Sequence, residues 1–223
     1  MKKLILLFLI LSFSNAFSQE YHFDQIIKSK SSRIKPDKNE WISYSFYDSV
    51  TKSKMFLNTK DEKTIATIYQ SDRNLRHVFD VIKTGDKLNF IYKFSNQFTE
   101  NNRDTNKENI IKVEKIDSSN YKITAFSNSR LKKKKIVLVV TMEKSDFDYV
   151  EINADYTRTD EMEEQLKQLL DPEMKYIVKR VQIQYSSGYI FDNSLVDVKK
   201  TDLDIKIPEK IILKEYNYWS DFD

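Results

Sequence analysis

Through most of the stretch from Trp41 to Tyr156, apolar residues recur at every second position, and that period commits the chain to half-buried β-strands. Between Lys87 and Phe94 the pattern is clearest: Leu88, Phe90, Tyr92 and Phe94 share one face and Asn89, Ile91 and Lys93 the other. Just before it, Leu75, His77, Phe79 and Val81 fall on one face of a second strand. Thr84-Gly85-Asp86 lies between the two, and Gly85 can take the positive φ that a tight turn needs, so the pair reads as a hairpin. A second hairpin is expected over Ile110–Ala125, turning at Ser118-Ser119-Asn120. Ile136 to Val140 is continuously apolar and predicts a strand covered on both faces. Val150, Ile152, Ala154 and Tyr156 alternate with polar residues as a further strand, and shorter ones are expected at 41–47, 55–57 and 64–69.

One helix is predicted at about 160–170, where Met162, Leu166, Leu169 and Leu170 form a single stripe. Asp160 is its expected N-cap, with Glu163 as capping-box partner, and Asp171-Pro172 ends it. Strand patterning then resumes at 177–185, 189–191 and 202–207, the first two joined by a Ser186-Ser187-Gly188 turn. Phe23, Ile26, Ile27 and Ile34 fit a helical face better than a strand, although the Ser-rich middle of 23–34 suits neither. The fold class is therefore α+β, mostly β: a curved antiparallel sheet with one amphipathic helix.

Composition removes whole classes of function. Among 223 residues there is no Cys, which excludes disulfides, thiol nucleophiles and Cys-based metal centres. Two Gly cannot build a GxGxxG turn or a phosphate loop. At the N-terminus, Lys2 and Lys3 precede the apolar run Leu4–Leu11, and Ala16 and Ser18 flank Phe17. That is the layout of a secretory signal peptide over 1–18, cut between Ser18 and Gln19; the run is too short to span a bilayer. Removing it leaves 35 basic against 34 acidic side chains, so residues 19–223 are expected to be a nearly neutral, exported, β-rich domain. Polar residues 96–109 are expected to form a mobile loop.

Side chains that could carry chemistry are few. His22 lies close to the expected mature N-terminus, where tethering is usually poor, and His77 sits on an apolar strand face as a hydrogen-bonded histidine at the edge of a core. No GxSxG elbow exists to pair with either. Asp146, Asp148, Glu151 and Asp155 lack the spacing of a calcium loop, and three of the four read more simply as turn formers or a solvated strand face. The run from Arg130 to Lys135 would alternate faces if extended, so it reads as lysines guarding the sticky strand at 136–140. Near-neutral charge argues against nucleic acid as a partner. The residues thus point to no catalytic group, no metal site and no cofactor.

Leader and composition together resemble those of envelope proteins of flavobacterial type, which implies a compartment, periplasmic or secreted, and no activity. The exported strand-plus-helix order is similar to that of periplasmic lipoprotein carriers. Phe79, Phe90, Tyr92 and Phe94 would crowd one face of the first hairpin, and Met162 and Leu166 would lid it. Those six residues are the candidate lining for an apolar ligand. Two readings follow. In the first, a non-catalytic envelope protein binds a macromolecular partner through its β-rich domain; in the second, it carries a lipid or other apolar molecule. A hydrolase using paired carboxylates is a third, with no pair identified in the sequence.

Overall fold

A computed structural model describes residues 19–70, 73–85, 87–97, 107–216 and 221–222. The predicted signal peptide therefore lies outside the described residues. Among the described residues, twelve strands and one helix make up the regular structure. They are β1 (Glu20–Lys35), β2 (Asn39–Tyr47), β3 (Lys54–Lys60), β4 (Lys63–Gln70), β5 (Leu75–Thr84) and β6 (Lys87–Gln97). There follow β7 (Ile110–Lys115), β8 (Asn120–Phe126), β9 (Lys134–Ser145), α1 (Thr159–Lys167), β10 (Lys175–Tyr185), β11 (Ile190–Lys206) and β12 (Leu213–Lys214). In hydrogen-bonding order they run β12-β6-β5-β4-β3-β2-β1-β11-β10-β9-β8-β7, an open sheet. The short β12 pairs parallel with β6, while the hairpins β3–β4, β5–β6, β7–β8 and β10–β11 are antiparallel. The expected α+β, mostly β class is the one observed.

The chain forms two compact units. Unit 1 comprises 1–25, 45–100 and 200–223, and unit 2 comprises 26–44 and 101–199.

In unit 2, β7 to β10 bury one face: Ile111, Tyr121, Ile123, Ala125, Ile136, Leu138, Val140, Val181 and Ile183 form its core. Helix α1 inserts Met162 and Leu166 into that cluster, and both are fully buried. Only one face of β9 is closed in this way; Val137 and Val139 on the other are half-buried, so the continuous apolar run overstated its cover. Strand β9 also lies between β8 and β10, so the lysines at its start guard no sheet edge.

The helix starts at Thr159 with Arg158 in the cap position and no side-chain cap. Glu163 does not close a capping box. Its carboxylate instead accepts the Ile152 N–H at 2.6 Å, holding the segment before the helix against the core. That segment, 150–156, keeps the predicted alternation, with Val150, Ile152, Ala154 and Tyr156 packed inward, but it joins no ladder beyond a bridge from Tyr149 to Ile177. Its backbone groups find other partners: Asp155 N–H donates to Tyr185 Oη at 2.8 Å, and Asn153 O accepts from Asn193 Nδ2 at 3.0 Å. Alternating burial thus arose without strand pairing.

Two further expectations change. Residues 23–34 lie within β1, where Tyr21, Phe23, Gln25 and Ile27 are buried at every second position. The helical spacing of Phe23, Ile26 and Ile27 was coincidental, because Ile26 points to the other face. The predicted strands 189–191 and 202–207 belong to one continuous β11, whose polar middle hid it. Within the expected loop at 96–109, Asn96 and Gln97 complete β6, residues 98–106 lie outside the described residues, and Asn109 is buried with its Nδ2 donating to Tyr156 Oη at 2.7 Å.

Candidate functional site

In unit 1 the sheet curls around an aromatic interior. Strands β2 and β6 are four steps apart in the sheet, roughly 19 Å if it were flat. Yet the rings of Phe46 on β2 and Phe90 on β6 meet edge to face at 5.7 Å. Tyr21 on β1 and His77 on β5, also four steps apart, approach to 6.4 Å. Phe23 tilts against Phe46 at 6.3 Å, and Phe79 meets Tyr92 edge to face at 5.8 Å. The inner surface of this curl is thus built from Tyr21, Phe23, Phe46, Phe79, Phe90 and Tyr92.

Register decides which predicted residues join it. Phe79 pairs with Tyr92 and Val81 with Phe90, so these four share the inner face. Phe94 does not. The ladder shifts between Val78 and Phe79, leaving Lys93 as the extra residue of a β-bulge and pairing Phe94 with Val78. Phe94 therefore turns to the outer face, where it packs with Ile65, Val78 and Phe222. Its place on the inner side is taken by Ser95, opposite His77. Met162 and Leu166 belong to the core of unit 2 and the aromatic interior to unit 1, so the six candidates divide: Phe79, Phe90 and Tyr92 together, Phe94 across the sheet, and the helix pair in the other unit. Tyr21, Phe23 and Phe46 share this face and were not among the predicted residues; the alternation of Tyr21, Phe23 and Ile27 was the signal for the first two.

Along the inner face, burial falls from one end to the other. Phe79 and Ile68 are 1% exposed, Val81, Phe90 and Tyr92 are half-buried, and Leu88 beside the turn is 37% exposed. The β5–β6 turn is the predicted one, with Gly85 at φ +61°, although Asp86 lies outside the described residues. An apolar track thus runs from a closed core to an open end at Val81, Leu88 and Phe90.

A polar chain crosses the closed end. His77 Nδ1 lies 2.7 Å from Ser95 Oγ, Tyr92 Oη lies 2.7 Å from the same oxygen, and His77 Nε2 lies 3.3 Å from Gln70 Oε1. A Ser–His pair invites a catalytic reading, but Ser95 has no exposed surface and the third member is an amide rather than a carboxylate. Burial, with the Arg73 charge second, lowers the His77 pKa to about 4, far from that of a general base working near neutrality. The chain satisfies polar groups inside the core.

This has a consequence for pH. A histidine whose pKa is lower folded than unfolded adds stability above its ordinary value near 6.5 and loses it as pH falls toward 4. The expected loss across that window is about 3 kcal/mol. Urea denaturation of the protein and of His77→Gln at pH 7 and pH 4 checks it: the variant is expected to lack this part of the acid sensitivity. Equal acid sensitivity in both would show that His77 does not titrate in this way.

The carboxylates of 146–155 are not brought together as a ligand set among the described residues. Asp148 accepts the Tyr176 N–H at 2.9 Å, and among the described residues the one group with metal-ligand spacing lies elsewhere, at His22, Asp202 and Asp204. His22, expected to be poorly tethered, is held in β1 with Nδ1 2.8 Å from Asp204 Oδ1.

No protein-family model matches the chain, and no curated protein matches it. Among solved structures it is similar to the crystal structure of a LolA superfamily protein from Nitrosomonas europaea. That match has 11% identity and a TM-score of 0.24, and covers 81% of this chain and 87% of the other. Among the described residues no helix is long and apolar enough to cross a membrane.

Proposed function

We propose that the protein is a non-catalytic, exported binder of a lipid or other apolar molecule, which it holds along the aromatic inner face of unit 1. One observation carries the reading: the 5.7 Å contact of Phe46 with Phe90, which requires the sheet to curl around that face. The open end of the track supplies apolar surface for the ligand at Val81, Leu88 and Phe90, with Tyr92 deeper. Export rests on the leader in the sequence and is part of the same proposal.

Titration with a fluorescent polyene fatty acid tests it. The protein is expected to bind the probe, and Phe90→Glu, which sets a carboxylate among the rings, to weaken binding at least tenfold, about 1.4 kcal/mol. Ile91→Glu is the control, because Ile91 lies next in sequence but is exposed on the opposite face. Equal affinity in the Phe90 and Ile91 variants would place the probe elsewhere.

A second reading, binding of a macromolecular partner, is favoured by the β1–β2 hairpin of unit 2. Lys28 lies over the Tyr44 ring, and Glu40 meets both Lys30 and Ser32, so even-numbered residues share one face. On that face Ile34, Ile42 and Tyr44 are each exposed beside Lys28 and Lys30. Such a surface suits a partner with apolar and anionic groups.

A further inference from the structure

The first strand and the end of β11 bring a second constellation together in unit 1, away from the aromatic face. Ile207 N–H donates to Gln19 O at 2.8 Å, and Lys206 pairs with Glu20 at 3.4 Å. That register sets His22 opposite Asp204, and Asp24 opposite Asp202. Glu20, His22 and Asp24 from β1 and Asp202, Asp204 and Lys206 from β11 then occupy one solvent-facing surface. Inner-face residues Tyr21, Phe23 and Ile205, by contrast, are buried.

We propose that His22, Asp202 and Asp204 bind a first-row divalent metal ion, with Zn2+ as the test case. His22 Nδ1 is 2.8 Å from Asp204 Oδ1 and 3.8 Å from Asp202 Oδ1, and all three ligand atoms lie within 4.8 Å of one another. An ion about 2.1 Å from each of its ligands separates adjacent ligand atoms by roughly 3.0–3.5 Å, so small side-chain rotations suffice. The donor set is one imidazole nitrogen and two carboxylates, which suits zinc and its neighbours better than calcium, whose ligands are all oxygen. Water fills the remaining positions, since all three side chains are exposed.

Charge on this surface points the same way. By that register Asp24 stands across from Asp202 on the neighbouring strand. Its carboxylate accepts the Ser49 N–H at 2.9 Å and the Ser49 hydroxyl at 2.5 Å. Four carboxylates, Glu20, Asp24, Asp202 and Asp204, thus stand on this surface with Lys206 as the lysine among them. A dication between Asp202 and Asp204 relieves that excess. Because the ligands sit on two paired strands rather than a loop, their backbone positions are set before the ion arrives.

Calorimetric titration of the purified protein with zinc chloride tests the assignment. One ion per chain is expected, with affinity at least tenfold weaker in His22→Ala and in Asp204→Asn. Glu20→Gln, on the same surface but outside the ligand set, is expected to stay within threefold of the parent. Circular dichroism confirms that each variant is folded, and the two ligand variants guard against a folding defect in either. Absence of binding at millimolar zinc, or binding that survives both ligand substitutions, overturns the proposal. So does calcium binding as tightly as zinc, which would mark a general acidic surface.

Discussion

Replacing Arg76 by Ala is expected to cost about 3–5 kcal/mol of folding stability, because it strands the Asp221 carboxylate without its partner in the interior of unit 1. Arg76 is 3% and Asp221 1% exposed, and the guanidinium grips the carboxylate through both terminal nitrogens, one at 3.0 Å. Arg76 also lies against the rings of Tyr69 and Tyr216. The pair fastens Asp221 and Phe222 over the outer face of β4–β6, where Lys93 donates to Asp221 O at 3.2 Å and Phe222 packs on Ile65, Val78 and Phe94. Asp221→Ala should cost a similar amount. The double substitution Arg76→Met with Asp221→Leu should recover most of it, since an apolar pair leaves no buried charge. Urea denaturation of the three variants checks this. If the double variant were as unstable as the singles, the charge account would be wrong and the loss would come from packing.

Phe94→Ala carries the next largest effect, about 3–5 kcal/mol, because a side chain with no exposed surface leaves a cavity beneath Phe222. What distinguishes this variant is what it should spare. Phe94 lies across the sheet from the aromatic track, so the folded fraction should bind an apolar probe as the parent does. Probe affinity reduced as far as in Phe90→Glu would contradict the bulge at Lys93 and return Phe94 to the inner face. Chemical denaturation and probe titration on the same preparation give both answers.

That bulge shows where the sequence stops being legible. Strict alternation puts Leu88, Phe90, Tyr92 and Phe94 on one face, and three of them are there. The fourth is moved by one extra residue, Lys93, which reaches Asp80 at 3.4 Å and the Asp221 carbonyl; nothing local in the sequence announces it. The two predicted hairpins were legible because each combines period two with a competent turn. In the second, the Asp117 carboxylate accepts the Ser119 and Asn120 N–H groups, which also lowers its pKa. Strand β1 was obscured by a buried polar residue, Gln25, in the middle of its inward face, and β11 by a long polar stretch. The segment 150–156 erred the other way, with strand-like burial against the unit 2 core but no ladder beyond the Tyr149–Ile177 bridge.

The candidate sites differ in the same respect. Phe79, Phe90 and Tyr92 are near neighbours in sequence and could be grouped by periodicity. Tyr21, Phe23 and Phe46 join them only because the sheet curls. His22 meets Asp204 across 182 positions of sequence, a distance over which no spacing rule operates. His77 was legible from its face as a hydrogen-bonded histidine at a core edge, whereas its full burial and its partners Gln70 and Ser95 follow from strand register.

Native mass spectrometry of the protein, exported and purified gently from its own envelope, tests the central claim most directly. The expected result is a chain beginning at Gln19 that carries a reproducible small-molecule mass, lost on denaturation and reduced in Phe90→Glu. A bare chain that also fails to take up added fatty acid would contradict apolar carriage. Retention of a second polypeptide by such a chain would favour the exposed face of the β1–β2 hairpin as the working surface.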